Sequence, residues 1–448
     1  MQKKCAGHIL KYIRLSVCLF VLFIGLKYVS TFAPDEQVKS NVRDSIQYMY
    51  HEEGVYPRFY IKEENFYSQR LDNYSDGILL NVCYNMDKNS KITAIAGDFR
   101  GSGQGENALE RAYHMIAADE YGIGESARHW YGQAAVLRIL LSVFNYQEIR
   151  VICQFVFLVL MGIVLLLSAK RVGIGMAIIF FISFAAINPA STAACVNLGA
   201  AFFVLLLGMI WVCLQYGRKR NAVEICYVVG ACTAYFDLFS VPFVTFAVVV
   251  MMLSIDLTER QKTDFLTLFV KTVQSGVAWV SGYLILWMSK WAFASVVLRK
   301  NIFLNAWNEM KIQSVEKAVD WGPDTAAGMI VEALRSNFCN MFPVNVIGLV
   351  YQRIFAWGGV LSILIVLLFF VAAVWVILKK ISYQFCNVSV AAVFLAIACI
   401  PYICYIVMHT HAFIHFWMWY RLQYITFVSI AAAFYFGNEK CRGGNNDG

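Results

Sequence analysis

Residues 126–146, SARHWYGQAAVLRILLSVFNY, decide the fold of this chain. The stretch is too short and too charged to cross a bilayer, which takes roughly 20 apolar residues. It is also too apolar for a loop in water. Arg128 and Arg138 bracket it, and the apolar run that follows is only Ile139-Leu140-Leu141-Ser142-Val143-Phe144. The pattern predicts a helix lying in the membrane interface. Its aliphatic residues would face lipid, with Arg128, His129 and Arg138 toward headgroups and Trp130 and Tyr131 at headgroup depth. If the segment crossed instead, every later loop would change sides.

Upstream, residues 33–150 carry 17 of the 29 acidic residues, and residues 1–32 carry none. Downstream the chain is almost continuously apolar. The 448 residues are 59% hydrophobic and only 15% charged, with mean hydropathy +0.58. That balance excludes a soluble globular domain and predicts an all-α, multi-pass protein of the cell membrane. Ten transmembrane helices are expected, at about 12–32, 151–169, 172–189, 194–216, 222–238, 239–255, 272–298, 353–378, 386–408 and 420–437. The first reads as an uncleaved signal anchor. Basic residues orient the bundle: Lys3, Lys4, Lys11 and Arg14, then Lys170-Arg171, Arg218-Lys219-Arg220, Lys379-Lys380, and Lys440 with Arg442. A cytoplasmic N-terminus followed by ten crossings puts all of them on the cytoplasmic side. The organisation is then 1–32 (N-terminus and first helix), 33–150 (a large extracytoplasmic loop with the interfacial helix), 151–437 (the bundle, with an outer loop at 299–352) and 438–448 (a cytoplasmic tail). The net charge of +8 is mostly orientation charge, and no solvated basic stripe suggests nucleic acid.

Thirteen cysteines form no CxxC. Cys83 and Cys339 are the two in the large outer loops, so a disulfide could join them. Within the first loop, Asp35-Glu36 directly follows the first span, and a short helix is expected over 37–52. Asp72-Asn73-Tyr74-Ser75-Asp76 reads as a turn and helix cap. The glycine-rich 97–106, GDFRGSGQGE, has no preceding strand and no lysine in phosphate-loop register, so it reads as a plain loop. Asp237 ends the fifth span, either as a helix-end cap or as a functional carboxylate. Lys290 lies eight residues inside the seventh span, flanked by Trp287 and Trp291. It would snorkel or meet a lipid phosphate. The stretch 409–421 holds His409, His411, His415 and Arg421. His411 and His415 share a helical face, but the acid of a two-histidine zinc motif is missing, so no metal is expected. Anion recognition or proton transfer suits them better, against the alternative of an interfacial aromatic belt.

The layout resembles the GT-C glycosyltransferases. The features that carry the likeness are Asp35-Glu36 after span one, the 126–146 segment, and Lys290 and Arg421 near the outer leaflet. Asp72-Asn73-x-x-Asp76, Ala127-Arg128-His129-Trp130-Tyr131-Gly132, Tyr235-Phe236-Asp237 and Trp287-x-x-Lys290-Trp291 are also similar to elements of a bacterial family of integral membrane proteins. The first resemblance implies transfer of a sugar from a polyprenyl-phosphate carrier to an extracytoplasmic glycan or lipid-linked acceptor, in cell-envelope assembly and with no cofactor. It implies Asp35 as the base, with Asp76 second. Lys290, Arg421, Arg128 and Arg138 would bind phosphate. Glu36, Asp72, His129, Asp237, His411 and His415 would complete the substrate site. A single displacement would invert the anomeric centre. The competing readings are a transporter or flippase of a lipid-linked or anionic solute, which would call for repeats or broken spans that the sequence lacks, and a non-catalytic envelope-assembly scaffold.

Overall fold

The computed structural model describes residues 2–60, 67–86, 90–118, 122–218, 222–260, 264–315, 323, 325–341, 344–346 and 388–437. The first helix, α1 (Gln2–Ser30), leads into a polar segment built from α2 (Asp35–His51), α3 (Asn73–Tyr84), α4 (Lys91–Gly97), β1 (Arg100–Ser102), α5 (Ala108–Ala118), β2 (Gly122–Gly124) and α6 (Gly132–Leu140). The strands pair antiparallel, Gly101 opposite Ile123. Then come α7 (Tyr146–Arg171), α8 (Ile174–Ala185), α9 (Pro189–Ala193), α10 (Val196–Gln215), α11 (Ala222–Phe236), α12 (Phe243–Arg260) and α13 (Phe265–Leu298). The chain continues through α14 (Ile302–Val315), α15 (Ala326–Cys339), α16 (Val388–Ala398), α17 (Ile400–Val407), α18 (His409–Ile414), α19 (Phe416–Trp419) and α20 (Gln423–Gly437).

Among the described residues, five helical stretches are long and apolar enough to cross a membrane: Leu10–Ser30, Tyr146–Arg171, Val196–Gln215, Phe265–Leu298 and Val390–Val407. Ile174–Ala185, Ala222–Phe236 and Phe243–Thr258 are apolar but shorter. Among the described residues the chain is thus all-α apart from one small hairpin, with the build of a membrane protein. The span expected at 353–378, the Lys379-Lys380 connection and the tail from 438 lie outside the described residues.

The polar segment has its own core. Val38, Val42, Ile46 and Met49 recur at helical spacing on α2 and bury against Leu79 and Leu80 of α3, Leu109 and Met115 of α5, and Leu137 of α6. Its end is fixed by a capping box. Asn145 accepts from the Glu148 N–H (3.0 Å) while Glu148 accepts from the Asn145 N–H (2.8 Å), so α7 begins at Tyr146. In the bundle, α11 and α13 meet backbone to backbone. A Cβ on Gly230 would collide with the Trp279 carbonyl, and one on Gly282 with the Tyr227 carbonyl.

Residues 126–146 do not form a single helix. The helical part is nine residues long, about 13 Å at the usual rise, and is wedged between α1, α3 and α11. Val136, Ile139 and Val143 stay exposed, but Trp130 and Arg138 are buried. Trp130 and Arg138 therefore face neighbouring protein and not headgroups, because both pack this segment onto the bundle. Cys83 and Cys339 are free thiols, and Cys83 is buried with its Sγ toward the Ala134 carbonyl (3.5 Å).

Candidate functional site

The site starts from two pieces of backbone held in place by buried side chains. The first is the end of α4. Asp98 follows it in a left-handed conformation (φ 45°), with its carboxylate buried between Lys27 of α1 and Lys290 of α13. Lys290 Nζ donates to Asp98 Oδ2 (2.7 Å) and to the Ile95 and Ala96 carbonyls (2.8 Å each). Those carbonyls belong to the last turn of α4, whose C=O groups lack helical partners and carry the negative end of the dipole. Lys27 donates to Asp98 and to the Trp130 carbonyl (2.7 Å). Lys290 thus neither snorkels nor awaits a phosphate; it rivets the first loop to α13.

The second piece is the 126–131 turn. Trp287 and Trp291, one helical turn apart, both donate their indole N–H to the Arg128 carbonyl (2.8 Å each). The Trp130 indole donates to the Leu286 carbonyl (2.8 Å). Ser126 and Tyr131 hydroxyls share a hydrogen bond (2.7 Å), with Tyr131 at φ 49°. The tryptophans that flank Lys290 therefore position Arg128.

Between these pieces and the ends of α11, α13 and α17 lies a chamber of about 490 Å³. Five residues singled out in the sequence line it: Asp72, Arg128, His129, His411 and His415. The others do not. Asp35 and Glu36 are exposed on the first turn of α2, and Asp35 pairs with the buried Arg138. Arg138 also donates to the Ser30 (3.2 Å) and Cys83 carbonyls, so it ties loop to span instead of meeting a headgroup. Asp237 accepts from the Ser240 N–H (3.1 Å) as a helix-end cap. Arg421 is buried, donating to Thr192 Oγ1 (2.6 Å), Ser191 Oγ (3.0 Å) and the Trp417 (2.9 Å) and Ser68 (3.3 Å) carbonyls. It clamps the first loop to α9 and α19 and does not face a lipid wall.

Asp72 and Asp76 sit on the first turn of α3. Asp72 Oδ1 caps the helix, accepting from the Ser75 N–H (2.9 Å). Asp76 lies behind it, accepting from the Asn197 N–H (2.8 Å) and the Tyr146 hydroxyl. Burial pushes the Asp72 carboxyl up, opposed by the Ser75 N–H and by the charge of Arg421. Burial, and then the charge of Asp72, push Asp76 up to about 7. The histidines move the other way. Burial, with Arg128 and Arg100 nearby, takes His129 down to about 3. Burial takes His415 to about 4 and holds His411 well below its ordinary value. All three are neutral at pH 7, so positive charge in the chamber comes from Arg100 and Arg128. Aromatic rings fill the space between: Tyr56 lies 4.6 Å from Trp417, and Phe239 stands 6.5 Å from Trp287 and 5.9 Å from His411.

Sequence reasoning missed Arg100, Asn197 and the Tyr56–Trp417 pair. A signal existed for Arg100, the one cation within the glycine-rich 97–106 stretch. That stretch is not a plain loop, since Arg100 opens β1. Among the described residues no group of three or more His, Cys, Asp or Glu could hold a metal ion. Chemically, the chamber offers a buried carboxylate, two guanidinium groups, neutral imidazoles and aromatic faces. No protein-family model, curated protein or solved structure matches this chain.

Proposed function

We propose that the chain is a ten-span protein of the cell membrane, with both termini cytoplasmic and the 33–150 and 299–352 segments outside, that transfers a sugar from a polyprenyl-phosphate donor to an extracytoplasmic glycan acceptor. The observation that carries this reading is the meeting of Asp72 with Arg100 and Arg128 in one aromatic-lined chamber at the ends of apolar helices. A lipid-phosphate sugar is already activated, so the enzyme need only bind the phosphate and take a proton from the acceptor. Guanidinium groups suit a phosphate, both by charge and by their fork of donors. A carboxyl whose proton affinity burial raises suits a general base.

The acceptor hydroxyl oxygen attacks the anomeric carbon as its proton passes to the Asp72 carboxylate. The bond from that carbon to the phosphate oxygen breaks, and its electron pair leaves with the phosphate, whose added charge Arg100 and Arg128 stabilise. One displacement inverts the anomeric centre. The base is read as Asp72 in place of Asp35 or Asp76. Asp35 is held on the outside by Arg138, and both oxygens of Asp76 are engaged by Asn197 and Tyr146.

The experiment is sugar analysis of the surface glycan in cells carrying Asp72→Asn, Arg128→Gln or Asp35→Asn. The expected result is loss of one sugar with Asp72→Asn and Arg128→Gln, accumulation of the lipid-phosphate sugar, and near-normal glycan with Asp35→Asn. A complete glycan with Asp72→Asn would overturn the reading. Precursor trapped in the inner leaflet would move the assignment to a flippase.

A further inference from the structure

A second, smaller chamber of about 250 Å³ opens beside the first and shares Arg100, Ser126 and Arg128 with it. Its remaining walls come from Glu125 at the end of the hairpin and from Lys300, Asn301 and Asn305 at the start of α14. Its character differs from the main chamber: no aromatic ring lines it, and apart from Ala127 and Ile302 its side chains are charged, amide-bearing or, at Ser126, hydroxyl-bearing. Lys300 donates to Glu125 (2.6 Å), and that bond holds the Glu125 carboxyl below its usual range. Glu125 is therefore ionised and already matched to Lys300. Among the described residues Arg100 has no carboxylate ion-pair partner, so within them its positive charge is unmatched at the wall between the two chambers. A half-buried guanidinium without a counterion is a standing invitation to an anion.

From this pairing of chambers we infer that the outer one recognises a carboxylate- or phosphate-bearing sugar unit of the acceptor, so that the glycan being extended is anionic. The inference rests on the transferase reading and adds the acceptor class to it. The chamber has room for about one sugar ring. Amide side chains at Asn301 and Asn305 can donate to and accept from hydroxyls, while Arg100 and Lys300 meet the charged substituent. Continuity through Arg100 and Ser126 lets the same ligand reach the chamber that holds Asp72. A neutral glycan would leave Arg100 unmatched, whereas an anionic one satisfies it and is drawn in from solution by the same charge.

The test uses the full chain in lipid nanodiscs and saturation-transfer NMR, which reads weak binding, with glucuronate, glucose 6-phosphate and glucose as probes. Both anionic sugars should receive saturation on their ring protons, and glucose several-fold less. Lys300→Gln should weaken the anion signals roughly two- to five-fold, the range for an exposed charge. Arg100→Gln should weaken them about tenfold or more, as for a charge-assisted hydrogen bond, with Arg100→Lys recovering part and certifying the fold. Raising salt from about 0.1 M to about 1 M shrinks the Debye length from about 10 Å to about 3 Å and should weaken them too. Equal signals from glucose and glucuronate would overturn the inference, as would indifference to both substitutions. Inorganic phosphate is added alone as a competitor. If it occupies the site while neither sugar ring is saturated, the chamber takes free phosphate and the acceptor assignment falls. Asp72→Asn separates the two readings: it should abolish transfer and keep the anion signals. Normal transfer with the signals kept would remove Asp72 as the base and leave the anion site standing.

Discussion

Replacing Asp98 by asparagine tests the buried triad that joins the first loop to the membrane helices. In the native protein one carboxylate faces two lysines, and all three side chains have no solvent exposure. A neutral amide in its place would leave two ammonium groups, those of Lys27 and Lys290, buried without an anion. Removing one partner of a buried pair costs about 3–5 kcal/mol, because the remaining charge is uncompensated. The carbonyls of Ile95, Ala96 and Trp130 still accept from the lysines, so the lower part of that range is expected. For 448 residues at roughly 2.1 cal/mol/K per residue the unfolding entropy is about 0.9 kcal/mol/K, which turns the loss into a Tm drop of about 3–4 °C. Lys290→Met should cost a similar amount, even though Lys27 still neutralises Asp98. Its main penalty is two orphaned carbonyls at about 1–3 kcal/mol each. Scanning fluorimetry of the protein in nanodiscs measures both. The reasoning is refuted if Asp98→Asn melts within about 1 °C of the native chain. It is also refuted if Lys290→Met keeps the native Tm and loses sugar transfer, since that pattern would make Lys290 a ligand of the donor phosphate.

Other outcomes follow from the same contacts. Asp76 has its carboxyl raised from 3.8 to about 7 in the folded chain, so the folded state holds that proton more tightly than the unfolded one. Its contribution to stability is present at low pH and lost as pH rises between those values. The Tm advantage of Asp76→Asn over the native protein should therefore grow from pH 5 to pH 8; a constant difference would deny the raised value. Arg138→Met should destabilise by about 3–5 kcal/mol, because it strips the Ser30 and Cys83 carbonyls and Asp35 of a buried guanidinium. Asp35→Asn should also destabilise, since it leaves the buried Arg138 guanidinium with carbonyl partners only; denaturant melts measure both, and a native-like melt for Asp35→Asn would contradict the pairing. Gly230→Val puts carbons onto the Trp279 carbonyl and should abolish monodisperse protein on size-exclusion chromatography. Recovery at native yield would mean that α11 and α13 are not packed backbone to backbone.

The long helices could be read from the sequence because a run of apolar residues carries its own evidence. The α2 face was readable from Val38, Val42, Ile46 and Met49, and the start of α3 from Asp72 and Ser75. The fate of the charges was not readable. Lys290 at an apolar depth is consistent with a snorkelling tail, a lipid phosphate or a buried pair, and the choice depends on Asp98, 192 residues away. Arg138 looked like a headgroup contact on an amphipathic stripe, yet its partners Ser30, Asp35 and Cys83 come from three separate elements. In each case hydropathy correctly marked the position as costly for a charge. What met that cost is a long-range contact, which local patterns do not encode.

The same contacts explain why the chamber can act as a preformed site. A binding or reacting group works best when its orientation is fixed before the ligand arrives. Arg128 is fixed through its backbone, by two indole N–H groups on a membrane helix. Asp72 is fixed by capping the helix that Asp76 also serves. The end of α4, beside Arg100, is fixed by Lys290 and Asp98. None of these anchors uses the cationic head of Arg100 or Arg128. The buried charges Lys27, Asp98, Lys290, Arg138 and Arg421 are thus spent on holding the first loop against the bundle, which leaves the guanidinium of Arg100 to face the chambers. A loop carried by surface contacts alone would leave Asp72 and Arg128 free to move relative to α13. Weakening the triad should accordingly lower transfer even at temperatures where the helices remain folded, with the rate falling before the circular-dichroism signal does.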